Sequence, residues 1–306
     1  MRINLSTLTT EQLNSRTTNV DQLPTIDVIQ LMNFEDRTVA DAVHDVLPDI
    51  AKAVDAVYQT LKNSGRLFYI GAGTSGRIGI LDASECPPTF CTDPSQIQAI
   101  IAGGEKAVFT AIEGAEDDAQ DGVDDLSQRN LTKSDIVVGI TASGRTPYVV
   151  GALEYAKKIG ATTIGISCNK NSVISELVDF KIEIIVGPEI LAGSTRLKAA
   201  TAQKMVLNML TTTSMIKLGK VYGNLMVDLH ASNNKLLERA RRIVMNITGV
   251  SYEIAEKVLN ETNQKVKPAI LMIQSGVSFE RAEQLLNETE GFVREAILRS
   301  NDETVS

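Results

Sequence analysis

Histidine and cysteine are scarce in this chain of 306 residues: two histidines, His44 and His230, and three cysteines, Cys86, Cys91 and Cys168. The histidines are too few for a His-rich metal site and too far apart in sequence to pair without the fold's help. The cysteines show no paired metal-ligand spacing, so no metal is expected. An odd cysteine count fits reduced thiols better than a disulfide framework, and points to the cytoplasm. Long apolar runs are also missing. The N-terminal stretch MRINLSTLTTEQLNSRTTNVDQLPTID has no signal-peptide core, and no later run spans a bilayer. Basic charge is in deficit, with 30 Lys and Arg against 38 Asp and Glu and a formal net charge of -8. That opposes broad attraction to nucleic acid or to an anionic membrane, so any anionic ligand must be held locally.

What is present suits a globular chain of roughly two domains: 43% of residues are hydrophobic and 22% charged. The segment up to Thr38 is mostly polar, and Val39–Gly65 reads as one helix with apolar residues recurring at three and four. His44 within it is a packing or surface residue. Five short β-branched runs follow, RLFYIGAG, QIQAIIAGG, DIVVGITASG, TTIGISC and FKIEIIVGPE, most of them leading through Gly or Ser into a helical stretch. This alternation predicts an α/β fold with a mostly parallel five-stranded sheet covered on both faces. Arg196–Gly219 is a long helix apolar on more than one face, hence core or subunit interface, in which Met205, Met209 and Met215 fill space. From Arg239 the chain is helical and echoes itself, GVSYEIAEKVLNET at Gly249–Thr262 and GVSFERAEQLLNET at Gly276–Thr289, with Ser251 and Ser278 placed as caps. Two copies are too few for a solenoid, so a small three-helix all-α domain is expected. The expected domains are an N-terminal segment and helix (1–45), a central domain (46–235) and the helical domain (236–306).

Gly71, Gly73 and Gly76 follow the first strand with the spacing of a dinucleotide fingerprint. That fingerprint also needs an acid about twenty residues on, at the end of the second strand, where this chain has Gly103 and Gly104. A different pattern recurs: GTSGR at Gly73–Arg77, ASGRTP at Ala142–Pro147 and AGSTR at Ala192–Arg196, each expected to follow a strand and open a helix. Helix N-termini carry partial positive charge and Ser or Thr hydroxyls add donors, so such loops suit a phosphate. Ser and Thr are also ordinary helix caps, which one such loop alone would not exceed.

GTSGR and ASGRTP resemble the phosphosugar-binding loops of the sugar isomerase (SIS) family. GPEILAGSTRLKAATAQK, Gly187–Lys204, is similar to the run shared by glucokinase regulatory protein and the bacterial N-acetylmuramic acid 6-phosphate etherases, and LDASECPPTF and GKVYGNLMVDLHASNNKL fit the etherases. The resemblance covers nearly the whole chain. It implies a SIS-type three-layer sandwich and cleavage of a sugar-phosphate D-lactyl ether by elimination and hydration, with no cofactor. By the same resemblance Glu85, in ASECPP with Pro87 and Pro88 expected to fix the chain just beyond it, is the proton donor to lactate. Glu116, in EGAED, is the second catalytic glutamate and the candidate base. Acidic clusters such as Glu113, Glu116, Asp117 and Asp118 are ordinarily a solvated helix face. On that face Glu113 would raise its neighbour's pKa by repulsion. The phosphate is assigned to Thr74, Ser75, Gly76, Ser143, Gly144 and Thr146, with Ser194 and Thr195 as further candidates and Lys235 as a counter-charge. His230 is read as structural, because the elimination can be written without it. Two alternatives share the loops: a sugar-phosphate sensor, which resembles two SIS units in tandem, and an aldose-ketose isomerase, which needs no leaving-group acid. The expected partners are a sugar phosphate and a second copy of the chain, with no nucleic acid and no membrane.

Overall fold

A computed structural model describes residues 8–229 and 234–305, the last two by backbone alone; His230 lies outside the described residues. The chain divides into two compact units, one reaching up to Ser84 and resuming over Ser95–Thr211, the other made of Glu85–Pro94 and the chain from Thr212 on. The first runs through α1 (Thr25–His44), α2 (Leu47–Lys62), β1 (Leu67–Gly71), α3 (Gly73–Phe90), β2 (Ile97–Ile101), α4 (Lys106–Phe109), α5 (Ala119–Gln128), β3 (Ile136–Ile140), α6 (Pro147–Ile159), β4 (Thr162–Ser167), α7 (Val173–Leu177), β5 (Phe180–Glu183) and α8 (Lys198–Lys217). The C-terminal ends of α3 and α8 count with the second unit.

The five β-branched runs are the five strands, all paired in parallel in the order β2-β1-β3-β4-β5. Strands β1 and β3 are buried along their whole length, as both faces of a parallel sheet are covered. Successive residues point to opposite faces. Phe68, Ile70 and Val137 pack with Leu126 of α5, Leu153 of α6 and Ile174 of α7. On the other face the Tyr69 hydroxyl donates to Asp82 of α3 at 2.9 Å. A Cβ at Gly76 would come within 2.6 Å of Ile101 Cγ1 and 2.8 Å of the Gly71 carbonyl oxygen, so α3 can start this close to the sheet only on glycine.

The single helix expected over Val39–Gly65 is two. Pro48 sits in the first turn of α2, where its missing N–H costs nothing, and so begins a helix instead of continuing one. Helix α1 starts at Thr25, inside the stretch read as polar. Its buried stripe is Glu35, Val39 and Val43, one residue per turn, and the carboxylate in it hides the stripe from a reading by hydrophobicity.

The second unit holds a two-stranded antiparallel hairpin, β6 (Val221–Tyr222) and β7 (Leu225–Met226), then α9 (Asn234–Thr248), α10 (Tyr252–Glu261), α11 (Val266–Ser275), α12 (Phe279–Glu288) and α13 (Val293–Val305). Among the described residues this makes five helices, not the three expected. The sequence echo is α10 and α12. Ser251 Oγ accepts from the Ile254 N–H and Ser278 Oγ from the Arg281 N–H. At the far ends Thr262 and Thr289 donate to the carbonyls of Lys265 and Phe292. Each copy thus closes a turn into a further helix, α11 or α13. Helix α11 packs against α9, α10, α12 and α13. Val266–Leu271 is buried throughout, so α11 has no amphipathic period to betray it.

One buried ion cluster ties the N-terminal region to α8. Glu35, 1% exposed, accepts from Arg16 Nε at 2.6 Å and from Lys198 Nζ at 2.8 Å. Glu189 in turn accepts from the Lys198 and Ala199 N–H groups, at 2.9 Å each, and caps α8. Burial alone would raise the Glu35 carboxyl, but hydrogen bonds and charge from Arg16 and Lys198 outweigh it and hold the group at about 2. A depressed carboxyl stabilises the fold above its unfolded value, near 4.5, and loses that contribution as pH falls toward 2. Glu35→Gln should therefore cost about 3 kcal/mol at pH 7. In urea titrations the gap between variant and parent should close between about pH 5 and pH 2. A gap independent of pH would show that the ion cluster is not its source.

Candidate functional site

The order β2-β1-β3 makes the chain leave β1 toward one edge and return on the other side. Open α/β sheets form their crevice at such a switch point, beyond the carboxyl ends of the strands. Gly71, the last residue of β1, is in register with Ile140, the last of β3, so the loops after them leave the sheet at one level. The first loop becomes α3 almost at once. Gly73 has φ of +52°, and the first backbone bond into the helix runs from the Gly76 N–H to the Ala72 carbonyl at 3.3 Å. The N–H groups of Gly73, Thr74 and Ser75 are therefore first-turn donors without a helical partner, at the positive end of the helix dipole. Thr74 is half-buried and Ser75 is buried, its hydroxyl donating to Gln203 Oε1 of α8 at 2.9 Å.

The second loop is built around Thr141. Its hydroxyl lies 2.7 Å from Thr146 Oγ1 and 3.3 Å from Ser143 Oγ, and it accepts from the Gly144 N–H at 3.3 Å. Gly144 has φ of +72°, and a Cβ there would meet Ser172 Cβ at 2.2 Å, so both conformation and space demand glycine. The third loop does not follow a strand directly, as the sequence suggested. Between Glu183 and Ser194 runs an irregular stretch anchored by buried Ile184, Val186, Glu189 and Ile190. The cap of α8 is the Glu189 carboxylate, not Ser194 or Thr195, and β5 is the edge strand, two places from β3.

Between the first loop and residues 102–116 lies a concavity of about 160 Å³, lined by Gly73, Arg77, Ile112, Glu113, Glu116 and several alanines. Glu113 and Glu116 are in turns, not on the helix face expected, because Gly114 between them takes φ of +77°. The Glu116 carbonyl accepts from the Tyr148 N–H at 3.1 Å, which fastens this turn to the start of α6 beside the second loop. By accessible surface Glu116 is exposed, yet protein atoms on the concave side still withdraw water from its carboxylate. That partial burial raises its pKa above the ordinary value, and the charges of Asp117 and Glu113 raise it further. Gly73 and Arg77, at the two ends of the first loop, thus share one concavity with Glu116. Thr74, Ser75 and Gly76 of the first loop, Ser143, Gly144 and Thr146 of the adjoining loop, and Ser194 and Thr195 do not line the concavity.

Glu85 and Lys235 belong to the second unit. Glu85 is exposed near the end of α3, which continues through Pro87 and Pro88 to Phe90 instead of stopping before them. Lys235 is exposed on the first turn of α9, in a concavity of about 600 Å³ with Arg239, Arg242 and Asn246. A larger one, about 740 Å³, surrounds Lys267. There Lys267 and Lys220 both pair with Asp228, at 2.7 and 3.0 Å, and none of the hydroxyl loops lines it. Sequence reasoning missed Thr141, Arg77 and Gln203 as parts of the site. Each lies next to or inside a run already singled out, but their roles depend on contacts no local pattern reveals.

Three family models match the chain: glucokinase regulatory protein N-terminal SIS domain over residues 49–157, SIS domain over 111–213, and C-terminal lid domain of glucokinase regulatory protein over 223–262. N-acetylmuramic acid 6-phosphate etherase 1 of Bacillus licheniformis is 57% identical over 270 residues, 88% of this chain and 89% of its own. N-acetylmuramic acid 6-phosphate etherases of Caldanaerobacter subterraneus subsp. tengcongensis and Clostridioides difficile are 59% and 56% identical, over 88% of this chain and 88% and 89% of theirs.

Glu116 should titrate above the ordinary carboxylate range in a carbon-13 NMR experiment. Glu113→Gln removes a like charge, so it should lower that pKa, and Asp117→Asn should do the same. An unmoved Glu116 resonance in both variants would leave partial burial as the sole cause.

Proposed function

Since this chain belongs to the N-acetylmuramic acid 6-phosphate etherases, we propose that it cleaves the D-lactyl ether of N-acetylmuramic acid 6-phosphate to N-acetylglucosamine 6-phosphate and D-lactate. The ether oxygen is on C3, β to the C1 carbonyl of the open-chain sugar. A base takes the C2 proton, the C3–O bond breaks, and the electron pair leaves on lactate with a proton from an acid. Water then adds to C3 of the unsaturated aldehyde, and C2 is reprotonated. The step is redox-neutral.

One observation supports the assignment of the base: Glu116 lines a concavity with the start of α3, beyond the carboxyl end of β1, and its pKa is raised. A carboxylate is a better general base as its pKa approaches the working pH. The phosphate, remote from C2 and C3, is held by the first-turn N–H groups of α3 with Thr74, Ser75 and Gly76, and by Ser143, Gly144 and Thr146. Ser194, Thr195 and Lys235 are further contacts whose support is the resemblance of their sequence runs. Fixing the far end of the sugar orients the reacting carbons, which is how remote binding aids a reaction. Glu85 protonates the departing alkoxide, a role supported by the likeness of LDASECPPTF to the etherases, and once ionised it activates the incoming water.

The working form we propose is a homodimer in the cytoplasm. Ile26 and Ile29, one turn apart on α1, are 60% and 56% exposed, an apolar surface that a second copy would cover. Cys86, Cys91 and Cys168 are free thiols. No helix among the described residues is long and apolar enough to cross a membrane.

The first test is release of D-lactate from N-acetylmuramic acid 6-phosphate; folded protein that releases none would overturn the activity. Glu116→Gln and Glu85→Gln should each lower turnover by about 10²–10⁴-fold. In deuterium oxide the product should carry deuterium at C2, and oxygen-18 from water should enter the sugar and not lactate. The reverse labelling excludes elimination. Light scattering on the eluting protein should give twice the chain mass, and a monomer at micromolar concentration removes the dimer.

A further inference from the structure

Gln203 is 1% exposed, and among the described residues its amide carries the one side-chain bond of Ser75: Ser75 Oγ donates to Gln203 Oε1 at 2.9 Å. The amide nitrogen of the same group, Nε2, is buried with no hydrogen-bond partner among the described residues. Ser75 has a single hydroxyl proton. While that proton lies on Oε1, Ser75 offers an incoming anion only lone pairs. A phosphate oxygen is itself an acceptor, so a bond from Ser75 to phosphate requires the proton to turn away from Gln203.

A half-turn of the terminal amide resolves the conflict. It brings Nε2 to the position of Oε1, where it donates to Ser75 Oγ and frees the hydroxyl proton for the ligand. In either orientation one amide atom pairs with Ser75 and the other is unpaired, so the two arrangements differ little in hydrogen bonding. Whatever binds at Ser75 decides between them. We propose that Gln203 is a positioning residue for the phosphate site, its amide turning over on binding to convert Ser75 from a hydroxyl spent on the protein into a donor to phosphate. This rests on Ser75 being a phosphate contact.

The sequence context is consistent with a device and not with filler. Gln203 sits six residues into α8, whose start is fixed by Glu189 and by the Lys198–Glu35 pair. Its reach to the first turn of α3 is therefore set by the fold. An apolar side chain of similar volume at 203 would fill the same buried space without an orphaned nitrogen, whereas buried polar groups are usually paired.

The test reads the inhibition constant of inorganic phosphate for glutamine, glutamate and methionine at 203, each with Ser75 present and with Ser75→Ala, and thermal melts check folding. Glutamate at 203, when ionised, only accepts and locks the Ser75 proton, while methionine keeps the volume, donates nothing and accepts only weakly. With Ser75 present, Gln203→Glu should weaken phosphate binding about tenfold and Gln203→Met about threefold. In a Ser75→Ala background the difference between the two variants should shrink to the repulsion between an ionised glutamate at 203 and phosphate, because no hydroxyl is left to orient. Equal effects of the two substitutions with Ser75 present, or an undiminished difference without it, overturn the inference. If Gln203→Glu does not fold, the cycle of Gln203→Met with Ser75→Ala decides: coupling supports the proposal and additivity overturns it. Should Ser75→Ala by itself leave phosphate binding unchanged, the assignment of Ser75 to phosphate fails, and the role of Gln203 fails with it.

Discussion

Parallel hydrogen bonding between β1 and β3 sets Gly71 level with Ile140, and so turns two segments distant in sequence out of the sheet side by side. The rest of the candidate site depends on that register. A shift by one residue would exchange the faces of β1, sending Tyr69 toward α6 and Phe68 toward α3. Asp82 would lose the Tyr69 hydroxyl, and Gly76 would no longer meet Ile101 across its missing Cβ. With the register fixed, the start of α3 faces the crevice, and the start of α6 follows the adjoining loop. Glu116, bonded through its carbonyl to Tyr148 at the head of α6, takes its place from the same pairing.

The sheet was legible because a parallel strand buried on both faces must be apolar at every position, and LFYIG and IVVGI can hardly be anything else. The hydroxyl loops were legible as helix openings but not as a group. AGSTR obeys the same grammar as GTSGR, yet a buried irregular stretch separates it from β5, and the local signal for that stretch was Gly187-Pro188, which breaks the strand before the loop. Glu35 shows a different limit. A carboxylate on the buried stripe of α1 makes sense only once Arg16 and Lys198 are brought to it from elsewhere in the chain, so the segment up to Thr38 was read as polar and the helix was begun at Val39. The Glu113–Glu116 turn was taken for a helix face because its composition is helical in everything but Gly114. Ser75 was read as a plain donor, since nothing within its own segment reveals that Gln203 already holds its proton.

The acidic balance of the chain has a consequence at this site. Holding a phosphate dianion with lysines or arginines would be the simpler electrostatic solution, but a cation beside Glu116 would favour its ionised form and lower its pKa. Apart from Lys235, the phosphate contacts proposed above are neutral donors, the first-turn N–H groups of α3 and the serine and threonine hydroxyls, which bind an anion through oriented dipoles and add no net charge. Arg77 is the cation lining the concavity, and its Nε is tied to the Val108 carbonyl at 2.9 Å. With Arg77 there, the Glu116 carboxyl still lies above its ordinary value, raised by partial burial and by Asp117 and Glu113. A bound phosphate would add a further negative charge and push it higher. In the reaction proposed above, the phosphate that orients the sugar would thus strengthen Glu116 as a base, an effect that a lysine-lined pocket would cancel.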